Sequence, residues 1–142
     1  MGSNLSIIQT RDRAEIYEVL KHPDIWPLVS QRKPSKNLIP VRPQDLYLII
    51  KHKERVIACV YFEVLNGYEL EMHPYVLPKE RKHHSERAVK AAMAWAFNQL
   101  IKRILVEIPD NFPHIKEFAK RLGFRQMTKN TFEMRSKEWA DL

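Results

Sequence analysis

Apolar positions in the first half of the chain follow the short period of strands. Residues 5–9, 46–51 and 55–65 are rich in apolar and β-branched side chains, which predicts three strands. Asn66-Gly67 then predicts a tight hairpin, because a type I′ turn needs positive φ at both central positions. Residues 68–75 predict the strand after this turn. This half of the chain therefore predicts a leading strand followed by a three-stranded meander.

Two short helices are predicted between the leading strand and the meander. Thr10 is placed to cap the first helix, whose apolar residues recur at helical spacing. Residues 22–29 predict a second helix with Pro23 near its start. Residues 30–45 hold three prolines among polar and basic residues, a composition typical of a surface loop. We expect this loop to form a mobile lip.

The second half alternates helices and strands. His84 or Ser85 is predicted to open a long amphipathic helix, and residues 103–108 predict a buried strand. Asn111 is placed to cap the next helix, which Gly123 closes in a left-handed conformation. A final hairpin is expected from residues 124–128 and 131–135.

The predicted order of elements is β-α-α-β-β-β-α-β-α-β-β. This order predicts an α/β (α+β) fold, a mixed central sheet of six to seven strands flanked by about four helices. Residues 68–108 are long enough for a right-handed crossover between parallel strands. The crossover places residues 78–85 near the carboxyl end of a central strand, where ligands commonly bind.

Length and composition predict a single domain over residues 1–142. The chain has 142 residues with 44% hydrophobic content, enough for one compact core. Its one cysteine, Cys59, lies in an apolar run, which favours an inert buried thiol and a reducing compartment. No apolar run approaches the roughly 20 residues that span a bilayer, and residues 1–5 lack signal-peptide features. We expect a soluble, cytoplasmic protein.

The formal net charge of +7 favours a polyanionic partner, either nucleic acid or a phosphorylated cofactor. Residues 79–87 hold four Lys or Arg and two His against two Glu. A basic segment before a helix can bind phosphate, because free N–H groups and the helix dipole both favour negative charge. The alternative interpretation is a solvated basic loop. We favour one focused anion site over a nucleic-acid track.

The element order, the segment 78–82, the Asn111 helix and Leu122-Gly123-Phe124 resemble the GNAT superfamily of N-acetyltransferases. The resemblance extends over residues 5–135. In that family a glycine-rich loop binds the pyrophosphate of coenzyme A through its backbone N–H groups. The matching stretch is residues 81–86, with His84 and Glu86 at the glycine positions. The resemblance implies acetyl-CoA as co-substrate, and these cofactor-binding residues: Arg81, Lys82, His83, His84, Ser85, Glu86, Arg87 and Asn111.

The resemblance also implies direct attack of an amine on the thioester, with a nearby carboxylate or ordered water as the base. Strand alternation puts Glu69, Glu71 and His73 on one face of their strand. Glu71 is the expected base, Glu69 the next candidate, and His73 an orienting or proton-shuttling group. The alternative interpretation is that this face is merely solvated.

Three further site predictions follow. The Tyr that many family members use as general acid aligns with Ala119, so that acid is missing here. Trp26 is either a substrate platform or a buried anchor. No metal site is expected, because His83 and His84 are adjacent and no cluster of Cys or His joins them.

Two functions remain open. The first is an acetyl-CoA-dependent N-acetyltransferase acting on a small-molecule amine or a protein amino group. The alternative is a GNAT-like fold kept for binding or assembly, for example a phage virion protein or a nucleic-acid-associated protein. The filled glycine positions and the missing Tyr favour the second. The fold pattern and the Glu71 face favour the first, and we expect the enzyme.

Overall fold

The chain forms one mixed sheet of seven strands with helices on both faces. A computed structural model describes residues 5–30 and 41–142. The strands are β1 (Leu5–Thr10), β2 (Asp45–His52), β3 (Arg55–Asn66), β4 (Glu69–Val76), β5 (Arg103–Glu107), β6 (Arg125–Gln126) and β7 (Thr131–Arg135). They lie in the order β1-β2-β3-β4-β5-β7-β6. The predicted mixed sheet is confirmed.

Five α-helices accompany the sheet in the described part of the chain. They are α1 (Arg13–Leu20), α2 (Trp26–Ser30), α3 (Arg81–Phe97), α4 (Pro113–Leu122) and α5 (Ser136–Ala140). The order predicted from the sequence is confirmed, with α5 added after the last strand. None of these helices is both long enough and apolar enough to cross a membrane. Most of the predicted lip at 30–45 lies outside the described residues.

Strand β3 shows how the two faces of the sheet are covered. Val60 and Phe62 pack into a large core with α3 and α4, while Cys59 and Tyr61 pack into a second core with α1. All four side chains are almost fully buried, because both faces of this central strand are covered. Any opening between strands in this sheet therefore connects two separate layers of the molecule.

The hairpin turns differ from the sequence prediction. The type I′ signal at Asn66-Gly67 is wrong, because positive φ occurs instead at Lys53 (51°) and Glu54 (70°) between β2 and β3. At the predicted turn, the Asn66 side chain accepts a hydrogen bond of 2.9 Å from the Tyr68 N–H. This Asx turn stabilises the hairpin without a left-handed backbone.

Two helix starts also differ from the prediction. Asp12, rather than Thr10, caps α1 by accepting a hydrogen bond from the Ala14 N–H at 2.9 Å. The N-cap of α4 is Phe112, with no side-chain capping bond, and Asn111 is exposed outside the helix. Pro113 explains this start, since proline at the first helical position needs no N–H partner and has a helical φ. The predicted helix at 22–29 begins only at Trp26.

A charge network around Glu133 ties together the strands at one end of the sheet. Glu133 on β7 has no exposed surface and pairs with Arg125 on β6 and with Arg103 on β5. Arg103 Nε lies 2.8 Å from Glu69 Oε2 on β4, as an ion pair rather than a hydrogen bond. Burial acts to raise the pKa of Glu133, but its hydrogen bonds from Arg125 and Arg103 hold that pKa below 4.5.

Replacing Glu133 with Gln is expected to lower the free energy of unfolding at pH 7 by about 1–3 kcal/mol, the range for losing charge-assisted hydrogen bonds at a buried site. Urea denaturation followed by tryptophan fluorescence measures this loss. The loss should shrink below pH 4.5, because protonation then removes the wild-type charge as well. Glu117→Gln, at an exposed side chain on α4, is the control, and equal stability of both variants would contradict the prediction.

Candidate functional site

A cleft opens where β4 and β5 separate. The two strands pair in parallel only from Glu69 opposite Arg103 to Glu71 opposite Leu105. Strand β4 continues to Val76 while it remains paired with β3 on its other side. The resulting cavity has a volume of about 990 Å³. It is lined by the separated parts of β4 and β5 and by residues of α2, α3 and α4.

The hydrogen-bonding pattern of β4 explains why the cleft stays open. The Tyr68 C=O accepts from β5 at the Arg103 N–H, while the Leu77 N–H donates to β3. Backbone groups alternate along a strand, so those of Met72, Pro74 and Val76 face the cleft. Pro74 has no N–H, which prevents a continuous ladder with a neighbouring strand at this position.

Arg81 is hydrogen-bonded to the last cleft-facing carbonyl of β4. Its Nε donates a 3.0 Å hydrogen bond to the Val76 C=O. This bond fixes the start of α3 against the carboxyl end of β4. Arg81 is exposed and lines the cleft, and the structure gives its terminal guanidinium nitrogens no bond to a described residue. The side chain can therefore hold the strand and still present two donors to an anion.

The segment predicted as an anion-binding loop is helical. A 3₁₀ turn at Pro78–Glu80 runs directly into α3 at Arg81, so the predicted start at His84 or Ser85 is wrong. No glycine interrupts residues 78–97. The helical backbone, which includes the 3₁₀ turn before α3, therefore begins at Pro78. The N–H groups of Glu80 and Arg81 donate to Leu77 and Pro78. An anion at the start of α3 would therefore be bound by side chains more than by free backbone N–H groups.

One face of α3 borders the cleft. Arg81, Ser85 and Val89 line it at helical spacing. Lys82 and His83 are exposed in the first turn and are not part of the cleft lining. Glu86 forms a 3.0 Å ion pair with Lys90. Of the residues predicted to bind the cofactor, Arg81 and Ser85 therefore share the cleft.

His84, at a family glycine position, packs inward instead. Its ring lies 4.6 Å from that of His52 on β2, centroid to centroid. Arg87 NH1 is 2.9 Å from His84 Nδ1, and Glu80 accepts two hydrogen bonds from Arg55 beside this pair. Burial lowers the pKa of His52 and of His84, and neighbouring positive charges lower both further. The pair acts as packing beneath the start of α3.

Glu71 and His73 line the other face of the cleft. The Glu71 carboxylate lies 3.6 Å from His73 Nε2. The His73 ring stacks on Tyr61 at a centroid distance of 5.4 Å. These two residues therefore combine a carboxylate and an imidazole at the point where β4 leaves β5.

A buried polar network, which the sequence did not reveal, supports the His73 ring. The Tyr61 hydroxyl donates a 2.5 Å hydrogen bond to Asp45, whose side chain is fully buried. The Arg42 guanidinium donates two further bonds to the same carboxylate, at 2.9 and 3.0 Å, and the Arg42 backbone N–H donates a third at 3.0 Å. Burial and this bond to Asp45 raise the pKa of Tyr61 far above 10. The ring beneath His73 is thus a neutral, fixed phenol.

Three further predicted site residues, besides those of α3, lie outside the cleft lining. Glu69 pairs with Arg103 and accepts a 2.8 Å hydrogen bond from Asn66. Asn111 is exposed in the turn before α4. Trp26 is half-buried, with Lys21 Nζ 3.8 Å from its ring centre. The structure does not bring these three together with Glu71.

The α4 side of the cleft is largely apolar, with His114 and Arg121 as its polar members. Its apolar members are Ile115, Phe118, Ala119 and Leu122, which recur at the helical spacing of a core face. Ala119 takes the place aligned with the family tyrosine, so a methyl group stands there instead of a phenol. Sequence alone does not separate such a wall from a core, because both require the same helical periodicity.

The family model for acetyltransferases of the GNAT family matches residues 13–124. The chain belongs to the GNAT family. This match includes β4, β5 and the cleft between them, together with α3 and α4. No curated protein matches the chain in sequence.

Solved structures of other GNAT proteins share the fold. A chimera of spermidine N-acetyltransferase SpeG from Vibrio cholerae and hSSAT has a TM-score of 0.78 and 11% identity, covering 99% of this chain and 100% of its own. A dodecameric spermidine N-acetyltransferase from Vibrio cholerae has a TM-score of 0.72 and 11% identity, covering 97% of each chain. At this identity the similarity concerns the fold alone.

Acidification is expected to destabilise this GNAT domain through the His52–His84 pair. Because both folded-state pKa values lie below 6.5, the unfolded chain binds more protons as the pH falls below that value. The stability contribution is complete above pH 6.5 and is lost at lower pH. His84→Gln should therefore flatten the dependence of the urea midpoint on pH between 7.5 and 5.5.

His114→Gln provides the matched control, since His114 is an exposed histidine at the start of α4. It should retain the wild-type dependence. Parallel curves for wild type and His84→Gln would contradict the role given to the pair. The comparison uses the slopes with pH, so a constant offset in stability does not affect it.

Proposed function

We propose that this GNAT protein is an acetyl-CoA-dependent N-acetyltransferase, in which an amine attacks the thioester directly. The observation that carries the proposal is the single cleft that joins Glu71, the open edge of β4 and the start of α3. A carboxylate, unpaired backbone groups and a basic helix start are the three features that this reaction needs. The acetyltransferase family supports the reaction class.

The residues that line the cleft fit both the pantetheine arm and the pyrophosphate of acetyl-CoA. The pantetheine arm carries amide groups, and the Met72 N–H and C=O with the Pro74 C=O can pair with them along β4. The pyrophosphate is anionic, and Arg81 with Ser85 lies at the positive end of the α3 dipole. Lys82 and Arg87 add positive charge near this end, and the His83 side chain lies next to Lys82 in the same turn.

Glu71 is the proposed base. An ammonium substrate must lose a proton before it attacks, and a carboxylate within reach accepts that proton directly or through water. His73, 3.6 Å from Glu71, orients this carboxylate or passes the proton on. Glu71 is preferred to Glu69, since the Glu69 carboxylate is already paired with Arg103.

The leaving thiolate needs little help from an acid. The family tyrosine is replaced by Ala119, but a thiol has a pKa of roughly 8.5. A thiolate is therefore a good leaving group near neutral pH and can take its proton from solvent. The missing phenol is compatible with turnover.

The proposed acceptor is an amine, either a small molecule or a protein amino group. Spermidine N-acetyltransferases share the fold, and we extend from them only the use of an amino group as nucleophile. A protein of this kind requires no metal for the reaction described.

Calorimetric titration is expected to give saturable binding of acetyl-CoA, weakened about 10- to 100-fold by Arg81→Ala. This range corresponds to losing one or two charge-assisted hydrogen bonds. Lys82→Ala, one residue away and outside the cleft lining, is the matched control and should change the affinity much less. Absence of wild-type binding at millimolar acetyl-CoA would refute the proposed function.

Glu71→Gln is expected to reduce kcat by about 10²–10⁴-fold, the usual contribution of a general base, with little change in acetyl-CoA affinity. Thiol release measured against pH should show partial recovery at alkaline pH, where the amine loses its proton without help. Glu69→Gln tests the second candidate in the same assay. An unchanged rate for Glu71→Gln would remove Glu71 as the base.

A further inference from the structure

We propose that the acceptor is a monoamine attached to an apolar group, rather than a polyamine. This inference rests on the proposed function and names its substrate class. The geometry that points to it is an apolar lining beside Glu71. The cleft that contains Glu71 and His73 is also lined by Ile25, which directly precedes α2, by Leu28 of α2, and by Ile115 and Phe118 of α4.

Ile25, the residue before α2, lies on the same face of the sheet as the proposed base. Ile25 packs in the core that contains Tyr61, and the His73 ring stacks on Tyr61. Glu71 and His73 share this face because they are two residues apart on β4. An acceptor whose amine reaches Glu71 therefore extends past Ile25 and Leu28.

Two residues of this lining are exposed although they are large and apolar. Leu28 has 39% and Ile115 has 40% of its surface accessible. They project from different helices into one concave site. Exposed apolar side chains that meet in a cavity favour an apolar ligand, because its binding removes their surface from water.

The charges of the cleft disfavour a polycation. Among the described residues that line it, Glu71 and Glu107 are the carboxylates, and Arg81 and Arg121 offset them. Glu71 is already assigned to the reacting amine, which leaves Glu107 alone for any further ammonium group. The whole chain carries a formal charge of +7, and its field repels a substrate with several positive charges. A substrate with one ammonium group and an apolar body therefore suits this charge distribution better than a polyamine does.

The test is a series of acceptors with saturating acetyl-CoA and the full-length chain. kcat/KM should rise about two- to four-fold for each methylene from ethylamine to hexylamine, as expected for burial of CH₂ groups. Phenethylamine should exceed spermidine by at least ten-fold. The gain should appear mainly in KM, since the apolar group lies away from the reacting atoms.

Leu28→Asn and Ile115→Asn should each reduce kcat/KM for hexylamine about ten-fold and change that for ethylamine little. Leu65→Asn, at an equally exposed leucine on β3 that does not line the cleft, is the control. A flat response to chain length, or a preference for spermidine, would overturn the proposal. It would also be overturned if these variants altered the preference among acyl-CoA chain lengths and left the amine preference unchanged.

Binding without turnover separates this proposal from the proposed function. Ligand-detected NMR of phenethylamine, hexylamine and spermidine reports amine binding even if no acetyl group is transferred. Absence of acetyl-CoA binding together with chain-length-dependent amine binding would refute the acetyltransferase and retain the apolar site. If acetyl-CoA binds and the affinity for amines does not depend on their apolar group, the apolar acceptor site is refuted and the acetyltransferase is retained.

Discussion

The separation of β4 from β5 is the constraint on which the site depends. Three pairs of residues join the strands, and beyond them β4 presents an edge that no strand covers among residues 5–30 and 41–142. Pro74 cannot donate from this edge, and Arg81 already bonds to the Val76 C=O. An edge of this kind is normally a hazard because it can pair with another chain. Here the proline and arginine limit such pairing, while the remaining backbone groups stay available to a ligand.

The two parts of the sheet are each held by a buried carboxylate. Asp45 ties β2 to β3 through Tyr61 on one side of the cleft, and Glu133 ties β5 to β6 and β7 on the other. The Arg103–Glu69 pair bridges these parts at the closed end. Glu69, which strand alternation made a candidate base, is therefore held by a structural ion pair with Arg103. The two carboxylates differ in their position along β4. Glu69 lies opposite Arg103, whereas Glu71 is the last residue of β4 that pairs with β5.

Hydrophobic periodicity predicted the order of the elements, because each helix and strand buries one regular face. It also predicted that Glu71 and His73 share a face, since alternation is a local property of a strand. The position of the turn between β2 and β3 was predicted, but the positive φ at Lys53 and Glu54 was missed because it depends on strand register. The helical start of α3 was missed because it depends on the absence of glycine over a long segment. The Asp45–Tyr61–His73 network joins side chains on three consecutive strands, β2, β3 and β4. Its contacts depend on the register of those strands, which no local pattern encodes. Likewise, the apolar wall of α4 has the periodicity of any core helix, and only the open cleft distinguishes it.

The residues at the family's glycine and tyrosine positions, His84 and Ala119, each differ from the family residue in size and polarity. His84 replaces a small residue and fills the space beneath α3 against His52, so the helix starts early and its first N–H groups are used internally. Ala119 replaces a large polar residue, so the opposite wall becomes apolar. Under the proposed function, the first change would leave anion recognition to side chains rather than to backbone groups, and the second places a methyl group where the family has a phenol. Both changes leave Glu71 in place, because it is fixed by β4 and by the His73 contact rather than by either helix. The proposed base and the walls of the cleft can thus vary independently on this sheet.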